Sequence, residues 1–328
     1  MNLYDQQRAN RRKTWMIMAA FIALLVILGA GFDTFYVGAL GGVVPVGTLL
    51  AVGIGSVGAV ASYYTGDRAV LLSSGARPVE ELEADPAESD KLKLHQLENI
   101  VDEMAVASGI PRPRVYVVPD EDPNAFATGR GPGHASIAVT RGLLETLDRE
   151  ELQGVIAHEM SHIRNLDTRV MTIVAALVGA VALIADWSRR GMWWGGGRRR
   201  DDDREGGNAL TGVIFFAIWI VAILVAPLAA QLLAMMVSRK REYLADASGA
   251  ELTRNPLGLA RALEKIDAAV EPTRAIGRGS AHLCIADPLG RQANLREEGF
   301  WSNLFASHPP MSQRIAALKQ MAYQSGGQ

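Results

Sequence analysis

The chain is short of cysteine, of net charge and, over long stretches, of any charge at all. Its single cysteine, Cys284, excludes an internal disulfide. The 33 Lys and Arg stand against 35 Asp and Glu, a formal charge of −2. An electrostatic nucleic-acid binder needs a strongly basic face, which this balance does not supply. At 49% hydrophobic and 21% charged over 328 residues, the composition excludes a disordered or collagen-like chain. The length suggests about two domains, and no internal repeat is visible.

The missing charge is concentrated in four places. Residues 14–32, 34–66, 170–185 and 206–238 hold no Asp, Glu, Lys or Arg. A helix needs about 20 apolar residues to cross ~30 Å of hydrocarbon, so the first, second and fourth runs are long enough. The third covers roughly 24 Å. It spans only if Arg169 or Asp186 snorkels to the interface, and a buried core helix is its alternative. Arg8, Arg11, Arg12 and Lys13 precede the first run, and the turn at 31–36 has no basic residue. This favours a transmembrane hairpin over a cleaved signal peptide, with the N-terminus and the chain after Asp67 in the cytoplasm. Between the third and fourth runs lie Trp193, Trp194, the glycines Gly195–Gly197, Asp201–Asp203 and six arginines. The composition at 188–209 predicts a disordered loop. The positive-inside rule prefers that loop in the cytoplasm, which conflicts with a complete second hairpin from a cytoplasmic start.

The sequence between the second and third runs has ordinary soluble character. Residues 78–90 are acidic and Pro-containing, a linker or helix start. Leu94, Leu97, Val101, Met104 and Ala105 recur at helical spacing, so 91–108 predicts an amphipathic helix ended by Gly109 and Pro111. Residues 114–118 and 135–140 are β-type runs separated by turn-rich sequence. Asp148 and Glu151 form a capping box for a helix whose apolar face is Leu152, Val155, Ile156 and Ile163.

That helix carries His158-Glu159-Met160-Ser161-His162, an H-E-x-x-H pattern. Spacing of i and i+4 turns both imidazoles to one face, where they can ligate one zinc ion. Glu159 is then the general base toward a metal-activated water. A third ligand must come from elsewhere. Glu242 and Asp246 share one helical face after the fourth run, although a solvated helix end reads the same way. Sharing a metal with His158 requires the third and fourth runs both to cross the membrane or both not to.

The motifs, in order, are L-x-x-I-V-x-x-M-A from Leu97, P-x-V-Y-V-V from Pro113, P-N-A-F-A-T-G from Pro123, H-E-x-x-H-I-x-N-x-D from His158 and S-R-x-R-E-Y-x-A-D from Ser238. The chain resembles the HtpX-like family of membrane zinc metalloproteases, related to the CAAX prenyl proteases. The resemblance implies a mainly α integral membrane protein: four hydrophobic helices plus an α+β zincin-like domain with a small β-sheet. It divides the chain into an N-terminal hairpin (1–66), a first catalytic part (67–169), a second hydrophobic hairpin (170–238) and a second catalytic part (239–328). It makes Glu242 the third ligand of one zinc ion per chain. Asp246 becomes a residue that orients a ligating histidine, and Asn165 and Asp167 become supporting residues. The implied activity is zinc endopeptidase action on protein or peptide substrates, chiefly membrane proteins in quality control. The implied place is the lipid bilayer of the cell (inner) membrane, with the catalytic domain cytoplasmic. A CAAX-type prenyl protease and a non-catalytic metal-binding sensor are the alternatives.

Further candidates carry two readings each. His308 and Arg314 match the family's H-P-x-x-x-x-R ending and could hold an oxyanion, while Ser307-His308-Pro309 also suits a helix start. Asn124 and Phe126 could lie on an edge strand that a substrate extends, or in a plain loop. His95, His134, His282 and Cys284 match no ligand spacing and are expected to be structural.

Overall fold

The computed structural model describes residues 3–33, 45–85, 90–174, 239–269, 273–276, 283–286 and 309–325. Two long helices come first, α1 (Leu3–Phe32) and α2 (Val46–Ser73). They pack together and against 170–174 through Met18, Phe21, Leu25, Ala59, Ile173 and Val174. Trp15 stacks on Tyr63 with 6.5 Å between ring centroids. Other large apolar side chains of the pair face outward, among them Met16, Ile27, Leu49, Val57 and Val60.

Among the described residues, no helix is long and apolar enough to cross a membrane. The first apolar run lies on α1, whose first half also carries Arg8, Arg11, Arg12 and Lys13. The second reaches α2 only from Val46 onward, and Asp67 and Arg68 interrupt that helix near its end. The third run is described only to residue 174. The fourth run and the loop 188–209 lie outside the described residues.

A four-stranded mixed sheet forms the centre of the remainder. Its strands are β1 (Arg77–Pro78), β2 (Arg114–Val118), β3 (Ala125–Gly129) and β4 (Ala135–Thr140), in the order β1-β2-β4-β3. β2 runs parallel to β4, with Val115 opposite Ile137, and β3 runs antiparallel to it, with Ala127 opposite Ile137. β2 and β4 occupy the expected ranges. For β3 the sequence left an edge strand or a plain loop open, because its small residues, Ala125, Ala127 and Gly129, mask the alternation. Alternation nevertheless decides its packing. Ala125 and Ala127 face the main core, while Phe126 faces a second cluster with Val70, Leu71 and Met171.

Helices α3 (Val79–Ala84), α4 (Lys91–Ser108), α5 (Arg141–Thr146) and α6 (Arg149–Arg164) complete the first part. The amphipathic helix forms over the anticipated span, burying Leu94, Leu97, Val101 and Met104, and Gly109 ends it at φ 68°. After the undescribed segment come α7 (Arg239–Thr253), α8 (Pro256–Ala268) and α9 (Met311–Ser325). Asn255 caps α8 by accepting from the Gly258 N–H at 3.0 Å.

α8 lies close across α6 because Gly154 has no side chain. A Cβ there would sit 2.8 Å from the Leu259 nitrogen and 2.9 Å from its Cα, both backbone atoms that cannot swing aside. Alanine in a helix gains up to about 1 kcal/mol over glycine, but overpacking costs about 1–3 kcal/mol. Gly154→Ala is therefore expected to lower stability by about 1–2 kcal/mol in denaturant unfolding. A raised midpoint would contradict the close approach.

Candidate metal centre

α6 begins with the anticipated capping box. Asp148 accepts from the Glu151 N–H at 3.0 Å, and the Asp148 N–H donates to Glu151 Oε2 at 2.9 Å. Lys265 on α8 donates to the same Glu151 oxygen at 2.6 Å. From Gly154 to Ile163 every residue of the helix is buried, including His158, Glu159 and His162.

The two imidazoles meet as the i, i+4 spacing requires, with Nε2 atoms 3.2 Å apart. Glu242 arrives from the first turn of α7. Its Oε1 lies 3.5 Å from His162 Nε2 and its Oε2 3.8 Å from His158 Nε2. α7 comes this close because Gly249, one face along, sits against α6. A Cβ there would lie 3.0 Å from the His158 nitrogen.

These three buried groups could hold a metal ion. Donors about 2.0–2.1 Å from a tetrahedral ion are about 3.3 Å from one another, and separations of 3.2, 3.5 and 3.8 Å bracket that value. The donor chemistry agrees, because two ring nitrogens and a carboxylate face one another out of water. Charge agrees as well. Once His162 has given up its proton, the buried carboxylates Glu159, Asp167, Glu242 and Asp246 outnumber the buried guanidiniums Arg241 and Arg314 by two, which matches the charge of a divalent ion.

Each imidazole is held from behind. His158 Nδ1 lies 2.9 Å from Asp246 Oδ1, and His162 Nδ1 lies 3.2 Å from Asp167 Oδ2. With a carboxylate against each Nδ1, the proton of each neutral ring is favoured on that nitrogen, and each Nε2 presents its lone pair to the shared point. The family-derived pairing of Asn165 with Asp167 thus acquires a geometric account. Asn165 ends α6, and Leu166 turns the chain through φ 61°, a conformation costly for a side-chain-bearing residue. That reversal brings Asp167 back against His162.

Asp246 is held in turn by Arg314 on α9, which is wholly buried. Arg314 Nη2 donates to Asp246 Oδ1 at 2.7 Å and Nε to Oδ2 at 2.8 Å, while Nη1 donates to the Ile285 carbonyl at 2.8 Å. Its donors are thus directed at Asp246 and the backbone, and Nη1 also lies 3.6 Å from Glu242 Oε2. His308, its partner in the motif, lies outside the described residues.

The electrostatics follow from this wiring. Burial opposes ionisation of Asp246, but the Arg314 guanidinium and His158 hold it down to about 2. Burial pushes the His158 imidazole below its ordinary value. Burial works the same way on His162, yet the hydrogen bond to Asp167 and the Glu242 charge overcome it and raise that imidazole to about 9. Burial, reinforced by Glu242, pushes Glu159 up to about 7 against the pull of His162 and Arg314. Among the described residues, Glu159 Oε1 has no hydrogen-bond partner.

Asn124 lies at the edge of the site and is wholly buried. β3 is the edge strand there, and its outward face is covered. Ile285 donates to the Ala125 carbonyl at 2.9 Å, and Phe126 bridges Cys284 in antiparallel sense. Asn124 Nδ2 donates to the Ala286 carbonyl at 3.1 Å, while its Oδ1 accepts from the Ala125 N–H at 3.0 Å. The Ala127 N–H donates to Glu159, and the Gly129 N–H to Thr172 Oγ1 at 3.0 Å. An extended peptide can pair with Ala125 at this edge only by displacing 283–286. Neither Ile285 nor Ala286 carried a signal in the sequence. His95 lies on the surface with Glu83 and Glu98, a second group of possible ligands. His95 Nδ1 is 2.9 Å from Glu83, and Glu98 accepts from Arg112 at 3.0 Å.

Residues 91–322 match the model of peptidase family M48. Two proteins named protease HtpX homolog are near relatives. That of Streptococcus gordonii is 43% identical over 320 residues, which is 97% of this chain and all of that protein. That of Thermoanaerobacter pseudethanolicus is 43% identical over 319 residues, 97% of this chain and 98% of that protein. The crystal structure of S. mikatae Ste24p overlays 96% of this chain and 67% of its own at 18% identity, with a TM-score of 0.46.

An imidazole raised to about 9 carries a proton at neutral pH that a metal ion must displace. Divalent-metal affinity is therefore expected to weaken as pH falls from 9 to 6, approaching tenfold per pH unit, with about one proton released per ion. Chelator competition across that range measures it. A flat profile would show that His162 does not ligate.

Proposed function

We propose, from the premise that this chain belongs to peptidase family M48, that it is a zinc-dependent endopeptidase acting on protein substrates at a membrane. The observation that carries this reading is the convergence of His158, His162 and Glu242 beside Glu159, on two helices that meet where Gly249 leaves no room for a side chain. Zinc bound there would supply Lewis acidity toward a water and a scissile carbonyl.

The chain's own residues do the remainder. Glu159 accepts the proton of the attacking water and returns it to the leaving amine. Burial places its carboxyl at about 7, which lets one group do both near neutral pH. Asp246 and Asp167 hold the ligating rings in the tautomer that leaves each Nε2 free for the ion. Substrate backbone would run along β3, in the place that 283–286 occupies, and Asn124 would change its partner from Ala286 to the substrate. Arg314 stabilises Asp246 and contributes one donor, Nη1, next to this strand.

Membrane residence is supported by the charge-poor sequence at 14–32 and 34–66, by the outward apolar side chains of α1 and α2, and by relatives named HtpX. The basic residues before the first run favour a cytoplasmic catalytic domain. Misassembled membrane proteins are the substrate class that this placement suits.

Glu159→Gln is expected to keep one zinc ion and the folded state while casein hydrolysis falls at least a hundredfold. Glu242→Ala is expected to lose most of its zinc, and Asp246→Ala a smaller share. Full hydrolysis by Glu159→Gln, or undiminished zinc in Glu242→Ala, would contradict the assigned roles. For topology, a cysteine at Val106, exposed on α4, should react with an impermeant maleimide only from the cytoplasmic face. Labelling from the opposite face would reverse the orientation.

A further inference from the structure

The family match begins at residue 91, yet a residue near the start of α1 reaches the metal centre. Asn10 is 1% exposed, and its neighbours in sequence, Arg11 and Arg12, point outward. Asn10 Nδ2 donates to the Asn165 carbonyl at 2.9 Å and to Asp167 Oδ1 at 2.8 Å. The other oxygen of Asp167 is the one facing His162 Nδ1. One turn earlier, Gln7 Nε2 donates to the Arg164 carbonyl at 2.8 Å. The start of α1 is thus fastened to the turn that ends α6.

We propose that Asn10 is a positioning residue for the ligand His162, acting through Asp167, so that the N-terminal helix is part of the metal centre. A carboxylate can rotate about its last bond, and both of its oxygens seek donors when buried. Asn10 fixes one oxygen of Asp167, which leaves the other aimed at the His162 ring. The only other described donor near that first oxygen is Arg241, at 3.5 Å. An amide suits the place because it donates without adding charge. Aspartate there would set two carboxylates against each other, and alanine would leave Asp167 Oδ1 to a distant guanidinium. The same amide reaches the backbone carbonyl of Asn165, which gives α1 its second anchor. The inference deepens the proposed function, since it rests on His162 being a metal ligand.

The test is chelator competition for zinc on the full chain in detergent, at fixed pH, with wild type, Asn10→Ala and Gln7→Ala, alongside unfolding of each metal-free protein. Asn10→Ala removes two hydrogen bonds that fasten α1 and Gln7→Ala removes one, so both should lose stability. Only Asn10→Ala should weaken zinc binding, by roughly tenfold, the lower end of the effect of removing a partner behind a metal ligand. Gln7→Ala should stay within about twofold of wild type on the same reasoning. Equal zinc affinity in wild type and Asn10→Ala overturns the proposal. Equal weakening in both variants also overturns it, because docking of α1 alone would then explain the loss. Should Asn10→Ala fail to fold, Asn10→Ser, which keeps a shorter donor, is expected to weaken binding by a smaller factor, and unchanged affinity in that variant overturns the proposal. Absence of stoichiometric zinc in wild type would overturn the metal-site reading together with this one, whereas normal zinc in every variant overturns this one alone.

Discussion

Everything at the centre of this molecule depends on two imidazoles whose back nitrogens are each held by a buried carboxylate. His158 rests on Asp246 and His162 on Asp167, at 2.9 and 3.2 Å. A ring held at Nδ1 has a defined tautomer and a defined direction, so its Nε2 points where the neighbouring ring and Glu242 also point. Each carboxylate needs its own donor, because a buried carboxylate without partners would sooner take up a proton than stay charged. Arg314 serves Asp246 from α9, and Asn10 serves Asp167 from α1. Elements from both ends of the chain therefore converge on one short helix.

This arrangement also sets what the rest of the fold must do. α6 is buried from Gly154 to Ile163, and two glycines let its neighbours close on it, Gly154 for α8 and Gly249 for α7. The sheet closes the remaining side, and its edge strand delivers the Ala127 N–H to Glu159. The cost of burying so many charges is offset by pairing them and, in the proposed holoprotein, by the ion. The strand edge beside the site is covered by 283–286, whose Ile285 carbonyl is held by Arg314. The residues that orient His158 and those that cover the substrate edge thus share one guanidinium.

Local features of this design were legible in the sequence. The H-E-x-x-H spacing, the capping box at Asp148 and the amphipathic helix at 91–108 are all patterns within a few residues, set by the 3.6-residue helical period. Glu242 was legible as a candidate from its spacing to Asp246, and singled out only by resemblance. What the sequence could not show depends on distant pairing. Asn10 meets Asp167 across 157 positions, and Arg314 meets Asp246 across 68. An asparagine among arginines at a helix start carries no periodic signal, and its burial follows only from how α1 docks. Arg314 was singled out by motif alone, and its contacts with Asp246, the Ile285 carbonyl and Glu242 follow only from packing. β3 stayed open between an edge strand and a loop because alanine and glycine carry little strand propensity, and its burial comes from packing.

Zinc-edge X-ray absorption on the purified full chain tests the central claim most directly. One ion per chain with two imidazole scatterers and oxygen ligands, at about 2.0–2.1 Å, is the expected result. A single imidazole in that shell, or a sulfur at about 2.3 Å, would contradict the convergence of His158, His162 and Glu242.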